Sequence, residues 1–476
     1  MLAIVVHAGT RPGRIACFSV PCLTHAMSTY PTLADTAARL DSGAATSLAL
    51  TEQALERCAQ GEGPRTFTRT LAATALAEAR ASDLLRAAGL ARSPLEGLPI
   101  SVKDLFDVAG HATLAGSRLL QGSAPARQDA HIVQRLRRAG AVIVGTTNMT
   151  EFAFSGIGLN PHYGTPRNPW GREAGGGGRI PGGSSSGAAV SVTDAMALAA
   201  IGSDTGGSVR IPAALCGLTG FKPTQRRVPT AGALPLSTTL DSVGPLAASV
   251  ACCALLDAVL ADAPLTPLTA APLAGLRLLA PTNVVLDGMD DAVAVAWERA
   301  LSRLSQAGVR IHQARVAPLQ DLAQINALGS FSNAEAWAWH RPHLQQHERD
   351  YDPRVLSRIL RGRSMGAADY VDLLRLRRQW QQAMAGQLQG HDLLVMPTVP
   401  VVAPRIADLE ASDEAFFAAN AAILRNPSMV NFLDGCAVSL PIHQPGDAPV
   451  GLSLAGLGGQ DALLLSAALA VQAALG

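Results

Sequence analysis

The sequence predicts a single large α/β domain, and three observations predict it. Short continuous apolar runs bounded by Gly or Pro alternate with segments whose apolar residues recur at helical spacing, the pattern of buried strands joined by helices. The chain of 476 residues is long enough for up to about three ordinary domains, yet no internal repeat and no clear linker divides it. With 48% hydrophobic and 16% charged residues it can bury a sizeable core, and it does not have the composition of a disordered chain. Periodic structure begins only near Leu33, so residues 1–28 are expected to be a poorly ordered N-terminal extension and 29–476 the domain, with Met27 an alternative start.

The elements follow in order. Leu33–Ala37–Leu40 and Leu48–Leu55 carry helical spacing, so 32–60 and 66–92 are expected to be helical, with breaks at Gly43 and Gly61. Gly97–Lys103 reads as a short buried strand that delivers Lys103 at its C-terminal end. A helix from Asp129, with Ile132, Val133 and Leu136 inward, stops at Gly140, and Ala141–Val144 is the next strand. Residues 155–187 form a long loop, followed by a small-residue helix from Gly187, a strand at Ala197–Ile201 and a second glycine-rich turn. A strand–helix–strand unit spans Leu276–Ala280, Asp290–Ala307 and Val309–His312, with Val293, Trp297, Leu301 and Leu304 on one helix face. A mostly helical excursion covers about 320–390, Leu393–Met396 is a strand ending at Pro397, and 447–475 gives a strand and a closing helix.

Charge excludes several classes of function. Lys and Arg total 38 against 37 Asp and Glu, for a net charge of +1, and no block of like charge would track a nucleic-acid backbone or an anionic membrane. No apolar run reaches the ~20 residues of a membrane span; the best stretches, 247–260 and 463–475, are interrupted by Asp257 and by Ser466 and Gln472. The seven cysteines are an odd number without metal-type spacing, as expected of buried thiols in a reducing compartment. Leu2–Val6 is followed by Arg11, Pro12 and Arg14 where a signal peptide would continue apolar, so the expected location is cytoplasmic.

Lysine is nearly absent: only Lys103 and Lys222 are lysines among the 38 basic residues. A buried lysine can lose its proton and act as a base, which arginine cannot do. Two glycine- and serine-rich turns stand out, Gly182-Gly-Ser184-Ser185-Ser186-Gly187 and Gly202-Ser203-Asp204-Thr205-Gly206-Gly207-Ser208-Val-Arg210-Ile-Pro212. Ser184 and Ser208 are 24 positions apart, about one helix plus one strand, so both turns can lie at the same end of a sheet. Glycines there free main-chain N–H groups to point at a ligand.

With Lys103 in Pro99-Ile-Ser-Val-Lys103-Asp104, and with Gly220-Phe-Lys222-Pro-Thr224 downstream, these turns resemble the amidase signature family of serine hydrolases. Gly145–Phe154, Leu394–Pro397 and Pro449–Leu452 extend the likeness from about residue 30 to the C-terminus, most densely over 95–250. The resemblance implies an α/β/α sandwich around a large mixed sheet and a Ser-cisSer-Lys triad. Ser208 would be the nucleophile, Ser184 the bridging serine with a cis peptide, and Lys103 the base. The amides of Thr205, Gly206, Gly207 and Ser208 would form the oxyanion hole. Asp204, Arg210 and Lys222 fall at motif positions expected to be structural. The implied activity is hydrolysis of a small-molecule amide through an acyl-enzyme, extending to anilides, esters or carbamates, with no metal or cofactor and with no partner beyond a homodimer. The alternative within the family is the glutamine-hydrolysing A subunit of a tRNA-dependent amidotransferase, but the run Met149-Thr-Glu-Phe-Ala-Phe154 looks more like stand-alone amidases.

Other readings are weaker. Gly183–Gly187 also satisfies G-x-S-x-G with Ser185 as nucleophile and His391 or His443 as base, but the strand that motif needs before its serine is missing. His340, His343 and His347 have a metal-like spacing that Pro342 interrupts, with no spaced acidic residue to complete a site. Trp337, Trp339 and Trp380 suit core packing or a channel wall. Substrate choice is expected to reside in about 155–180, 225–240 and 320–390.

Overall fold

Eleven strands run through the described residues of the computed structural model, which are 30–173 and 177–476. They are β1 (Phe67–Thr70), β2 (Pro99–Lys103), β3 (Val142–Thr147), β4 (Ala199–Asp204), β5 (Thr219–Lys222), β6 (Ser242–Ala247), β7 (Arg277–Pro281), β8 (Arg310–Ala314), β9 (Leu393–Pro397), β10 (Cys436–Pro441) and β11 (Gly451–Gly456). One mixed sheet contains them all in the order β1-β3-β2-β4-β6-β5-β10-β11-β9-β7-β8, flanked by helices, as expected for an α/β sandwich. The expectations for residues 1–28 lie outside the described residues.

The centre of the sheet explains the site. β2 lies between β3 and β4, parallel to both, and every residue of β2, β3 and β4 is buried. Parallel strands covered on both faces read as unbroken apolar runs rather than alternating ones, which is why Pro99–Lys103 is legible in the sequence. Ile100, Val102, Ile143 and Ile201 join one apolar core with Leu136, Leu256 and Leu464 from the covering helices. β4 then pairs antiparallel with β6, placing Asp204 opposite Ser242.

Three expectations change. Residues 66–92 are not all helical: Phe67–Thr70 forms edge strand β1 against β3, and the helix is Ala72–Ala87. The aromatic and β-branched residues of that stretch suit a strand, and β3 supplies the partner. Pro342 does not end its helix, which runs from Phe331 to His347 through it, capped at its start by Ser330 and Asn333. Finally, β5, β6, β10 and the helix Asp413–Leu433 had no sequence-based counterpart; Pro245, Pro441 and Pro427 lie inside β6, β10 and that helix and disguise them.

Candidate active site

Lys103 ends β2 with its side chain fully buried. Burial strips water from the ammonium and pushes its pKa down to about 7, against the opposing pull of Asp241 and Asp204. Its Nζ donates to Ser184 Oγ at 2.7 Å and to Ser203 Oγ at 2.8 Å.

Ser184 follows a cis Gly183–Ser184 peptide, and both its side chain and its loop are enclosed. The Gly183 amide donates to Gly156 O at 2.9 Å, and the Thr150 amide to Ser184 O at 3.0 Å. A Cβ at residue 183 would sit 2.7 Å from the Gly158 nitrogen, so this close approach requires glycine.

Ser208 lies in the second turn, two residues before the helix Arg210–Cys216 and directly after Gly207 at φ +122°, where a Cβ would meet Pro427 at 2.5 Å. The two turns touch, as their spacing predicted: the Ser185 amide donates to Ser208 O at 3.2 Å. Ser208 is 3% exposed, and its hydroxyl makes no hydrogen bond among the described residues.

The turn is held from within by Asp204 and Arg210, both fully buried and paired at 2.9 Å. Burial would raise the Asp204 pKa, but the charge and hydrogen bonds of Arg210, the charge of Lys222 and the Asn431 hydrogen bond together outweigh it and hold the carboxylate well below its usual range. Asp204 Oδ1 also accepts the Gly207 amide at 2.8 Å and Asn431 Nδ2 at 2.9 Å. Of the four amides expected in an oxyanion hole, Gly207 is thus already engaged, whereas those of Thr205, Gly206 and Ser208 have no partner among the described residues. Lys222 stands apart from the serines, its Nζ bridging the carbonyls of Pro223 at 2.9 Å and Gly435 at 2.6 Å. Burial lowers its pKa to about 8.

The rival assemblies do not form. The Ser185 hydroxyl faces the Ser203 carbonyl at 3.5 Å and Ser185 precedes the helix Ser186–Thr193 with no strand before it. His391 pairs with His312 at 3.0 Å, and His443 packs beside Gly217. His340 is buried against Tyr351 Oη at 2.9 Å, with its pKa pushed down to about 3 by burial, while His347 bonds Asp350 at 3.0 Å. No cluster of His, Cys, Asp and Glu among the described residues could hold a metal. Trp339 packs on Phe152, and Trp380 Nε1 donates to Pro318 O at 2.6 Å, so these two are packing groups.

Two neighbours of Lys103 escaped the sequence reading. Ser203 sits inside the second turn, one residue before Asp204, where its hydroxyl gave no signal of its own. Asp241 immediately precedes β6 and became identifiable only once that strand was known. Both line a cavity of about 380 Å³, with Leu105, Phe106 and Ala153. Phe154, one residue beyond Ala153, carries the guanidinium of Arg358 stacked 4.7 Å over its ring, and that guanidinium meets no acceptor among the described residues.

A family model described as Amidase matches residues 49–465. The chain is 36% identical to a 2-amino-5-chloromuconic acid deaminase of Comamonas testosteroni, over 93% of this chain and 96% of that one. It is 32% identical to the A subunit of a glutamyl-tRNA(Gln) amidotransferase of Chloroflexus aggregans, over 92% of this chain and 94% of that one. A crystal structure of an amidase superimposes with a TM-score of 0.84 at 32% identity, covering 94% of this chain and all 100% of the other. No helix among the described residues is long and apolar enough to cross a membrane.

Proposed function

Since the chain belongs to the amidase family of amide-hydrolysing enzymes, we propose that it cleaves its amide with Ser208 as nucleophile, Ser184 as proton bridge and Lys103 as base. One observation carries this reading: the lysine that ends the central strand β2 is buried, its pKa is brought to about 7, and its Nζ is 2.7 Å from Ser184 Oγ. A serine hydroxyl attacks a carbonyl only as a neighbour takes its proton, and an amine takes a proton only when neutral. Ser208 Oγ adds to the carbonyl carbon while its proton passes to Ser184 and the Ser184 proton to Lys103. The oxygen that gains charge turns to the amides of Thr205, Gly206 and Ser208. One such donor is typically worth ~2.7–4 kcal/mol in a transition state. The C–N bond then breaks as the proton returns through Ser184 to the leaving nitrogen, and water, activated by Lys103, frees the acid from Ser208. The absence of a Ser184–Ser208 hydrogen bond fits a relay that tightens when substrate arrives.

The substrate in this reading is a small amide bearing an acidic group. Arg358 supports it: a guanidinium stacked on an aromatic ring with its donors free is a ready partner for a carboxylate. The relative in Comamonas testosteroni is named for an acid. The protein would act in the cytoplasm and without a partner protein.

The test is a panel of neutral and anionic amides, anilides, esters and carbamates assayed with the protein alone. Turnover of several anionic amides is the expected result. Turnover of glutamine and nothing else would favour the reading as one component of an amidotransferase, which the similarity to the Chloroflexus aggregans protein supports. Labelling by a fluorophosphonate should occur on Ser208; labelling on Ser185 instead would overturn the assignment.

A further inference from the structure

Behind the two serines lies a second layer of polar contacts that the motif does not include. Asp241 precedes β6, and because β6 pairs with β4 through Asp204 and Ser242, it stands beside Thr205, the first residue of the amide-lined turn. Thr205 Oγ1 donates to Asp241 Oδ1 at 2.5 Å. The amides of Leu236 and Ser237 each donate to Oδ2 at 3.0 Å, so the carboxylate has three donors and a fixed orientation. Ser237 in turn bonds Glu335 at 2.9 Å, which ties the arrangement to the helix Phe331–His347.

Asp241 also acts on Lys103. Lys103 is fully buried, where unit charges interact far more strongly than in water, and the half-buried Asp241 carboxylate raises the proton affinity of the amine more than Asp204 does. The cavity that Asp241 lines contains Ser203, whose Oγ holds the same Nζ at 2.8 Å.

We propose that Asp241 is a positioning residue with two tasks: it fixes Thr205 so that the oxyanion-hole amides converge, and its charge sets the proton affinity of Lys103. The proposal rests on the reading of Lys103 as base. The ionisable groups around Asp241 are Lys103 from β2, Asp204 from β4 with Arg210 beside it, Glu335 from the helix Phe331–His347, and Tyr370, which donates to Glu335 at 2.7 Å. Burial raises the Asp241 pKa to about 6, held back by its hydrogen bonds from Thr205, Ser237 and Leu236. Most of the carboxylate is therefore charged at about pH 7, where Lys103 is half deprotonated.

The test is the rate at which a fluorophosphonate labels Ser208, followed against pH in the full-length enzyme. Asp241→Asn keeps size and removes the charge; its Oδ1 can still accept from the Leu236 and Ser237 amides while its Nδ2 donates to Thr205 Oγ1, which then accepts. Its acid limb should move about one pH unit lower, because an ammonium without its counter-charge releases its proton more readily. Thr205→Val removes the hydroxyl and leaves the charge. It should slow labelling about tenfold or more at the plateau and be rescued by Thr205→Ser. A merely structural Asp241 would slow labelling without moving the limb, and that result overturns the charge assignment; wild-type rates in Thr205→Val overturn the positioning role. Should Asp241→Asn not fold, the Thr205 pair still decides the positioning role, and Asp241→Glu, which retains the charge, should keep the wild-type acid limb. If the wild-type enzyme itself shows no acid limb, the reading of Lys103 as base fails first.

Discussion

The two serine turns and the helical excursion at about 320–390 are built on opposite principles. In the turns, backbone geometry is dictated at each step: Gly183 and Gly207 occupy places where any Cβ would collide, Asp204 and Arg210 are fully buried, and the lysine that ends β2 is sealed from water. In the excursion, the helices Phe331–His347, Pro353–Leu360 and Ala367–Gln387 are half-exposed and their buried residues are few, such as Phe331, Ala336, Val355, Leu373 and Trp380. Chemistry tolerates one arrangement of the first region, whereas any helices with a suitable apolar face can cover the sheet in the second. The two are nonetheless joined, through Ser237 and Glu335 and through Arg358 over Phe154.

The largest effects should come from breaking the turns chemically. Ser208→Ala, Lys103→Met and Lys103→Arg are each expected to lower kcat/KM at least about a thousandfold, as removal of one member of a cooperating catalytic group does. Arginine keeps charge but cannot accept a proton, so rescue by Lys103→Arg would refute the base assignment. The same logic fixes the pH dependence. As the proposed base, Lys103 would work only when neutral, so kcat/KM should be level above about 7 and fall about tenfold per unit below it. A level profile down to pH ~5 would show that another group takes the proton.

Next in size is the support beneath the turn. Arg210→Met leaves Asp204 buried without its counter-charge, which typically costs about 3–5 kcal/mol. Urea denaturation should record that loss, and Asp204→Asn added to Arg210→Met should restore part of it, because the pair rather than either residue is the structural unit.

These contrasts explain what the sequence made legible. Lys103, Ser184 and Ser208 could be proposed because two glycine- and serine-rich turns and a rare lysine, each a weak signal alone, together resemble the amidase signature. The strands β2, β4 and β9 were readable as short apolar runs. By contrast, the four residues of β5, Thr219–Lys222, are too short a run to show a pattern, and β6, β10 and the helix Asp413–Leu433 were hidden because tertiary pairing there overrides prolines that ordinarily break such elements. Asp241 was invisible for the same reason. Its role depends on the β4–β6 register, which no local pattern around residue 241 discloses.

A smaller effect should separate substrate choice from catalysis. Arg358→Met preserves much of the contact with Phe154 but removes the guanidinium. For an anionic amide, KM should rise about 10- to 100-fold, the range of a charged hydrogen bond, with kcat little changed. Neutral fluorophosphonate labelling should proceed at the wild-type rate. An equal loss for neutral and anionic amides would remove Arg358 from the binding wall and make it a packing residue.

The smallest effect tests how permissive the excursion is. Pro342 lies inside the helix Phe331–His347, is exposed, and can donate no amide to Ala338, so its replacement sacrifices little packing. In a helix interior, proline is about 3 kcal/mol less favourable than alanine. The local structure has already adapted to the ring, and the unfolded chain gains freedom worth about 0.4–1 kcal/mol when proline is removed, so only part of that difference should appear. Pro342→Ala is therefore expected to raise stability by about 1 kcal/mol, read as a higher urea midpoint at unchanged m-value. The rate of Ser208 labelling should not change. A destabilised variant would show that the ring is itself a packing element of the excursion, and a slower labelling rate would show that the strain of this helix reaches Glu335, seven residues earlier on the same helix, and through it the turn that holds Thr205.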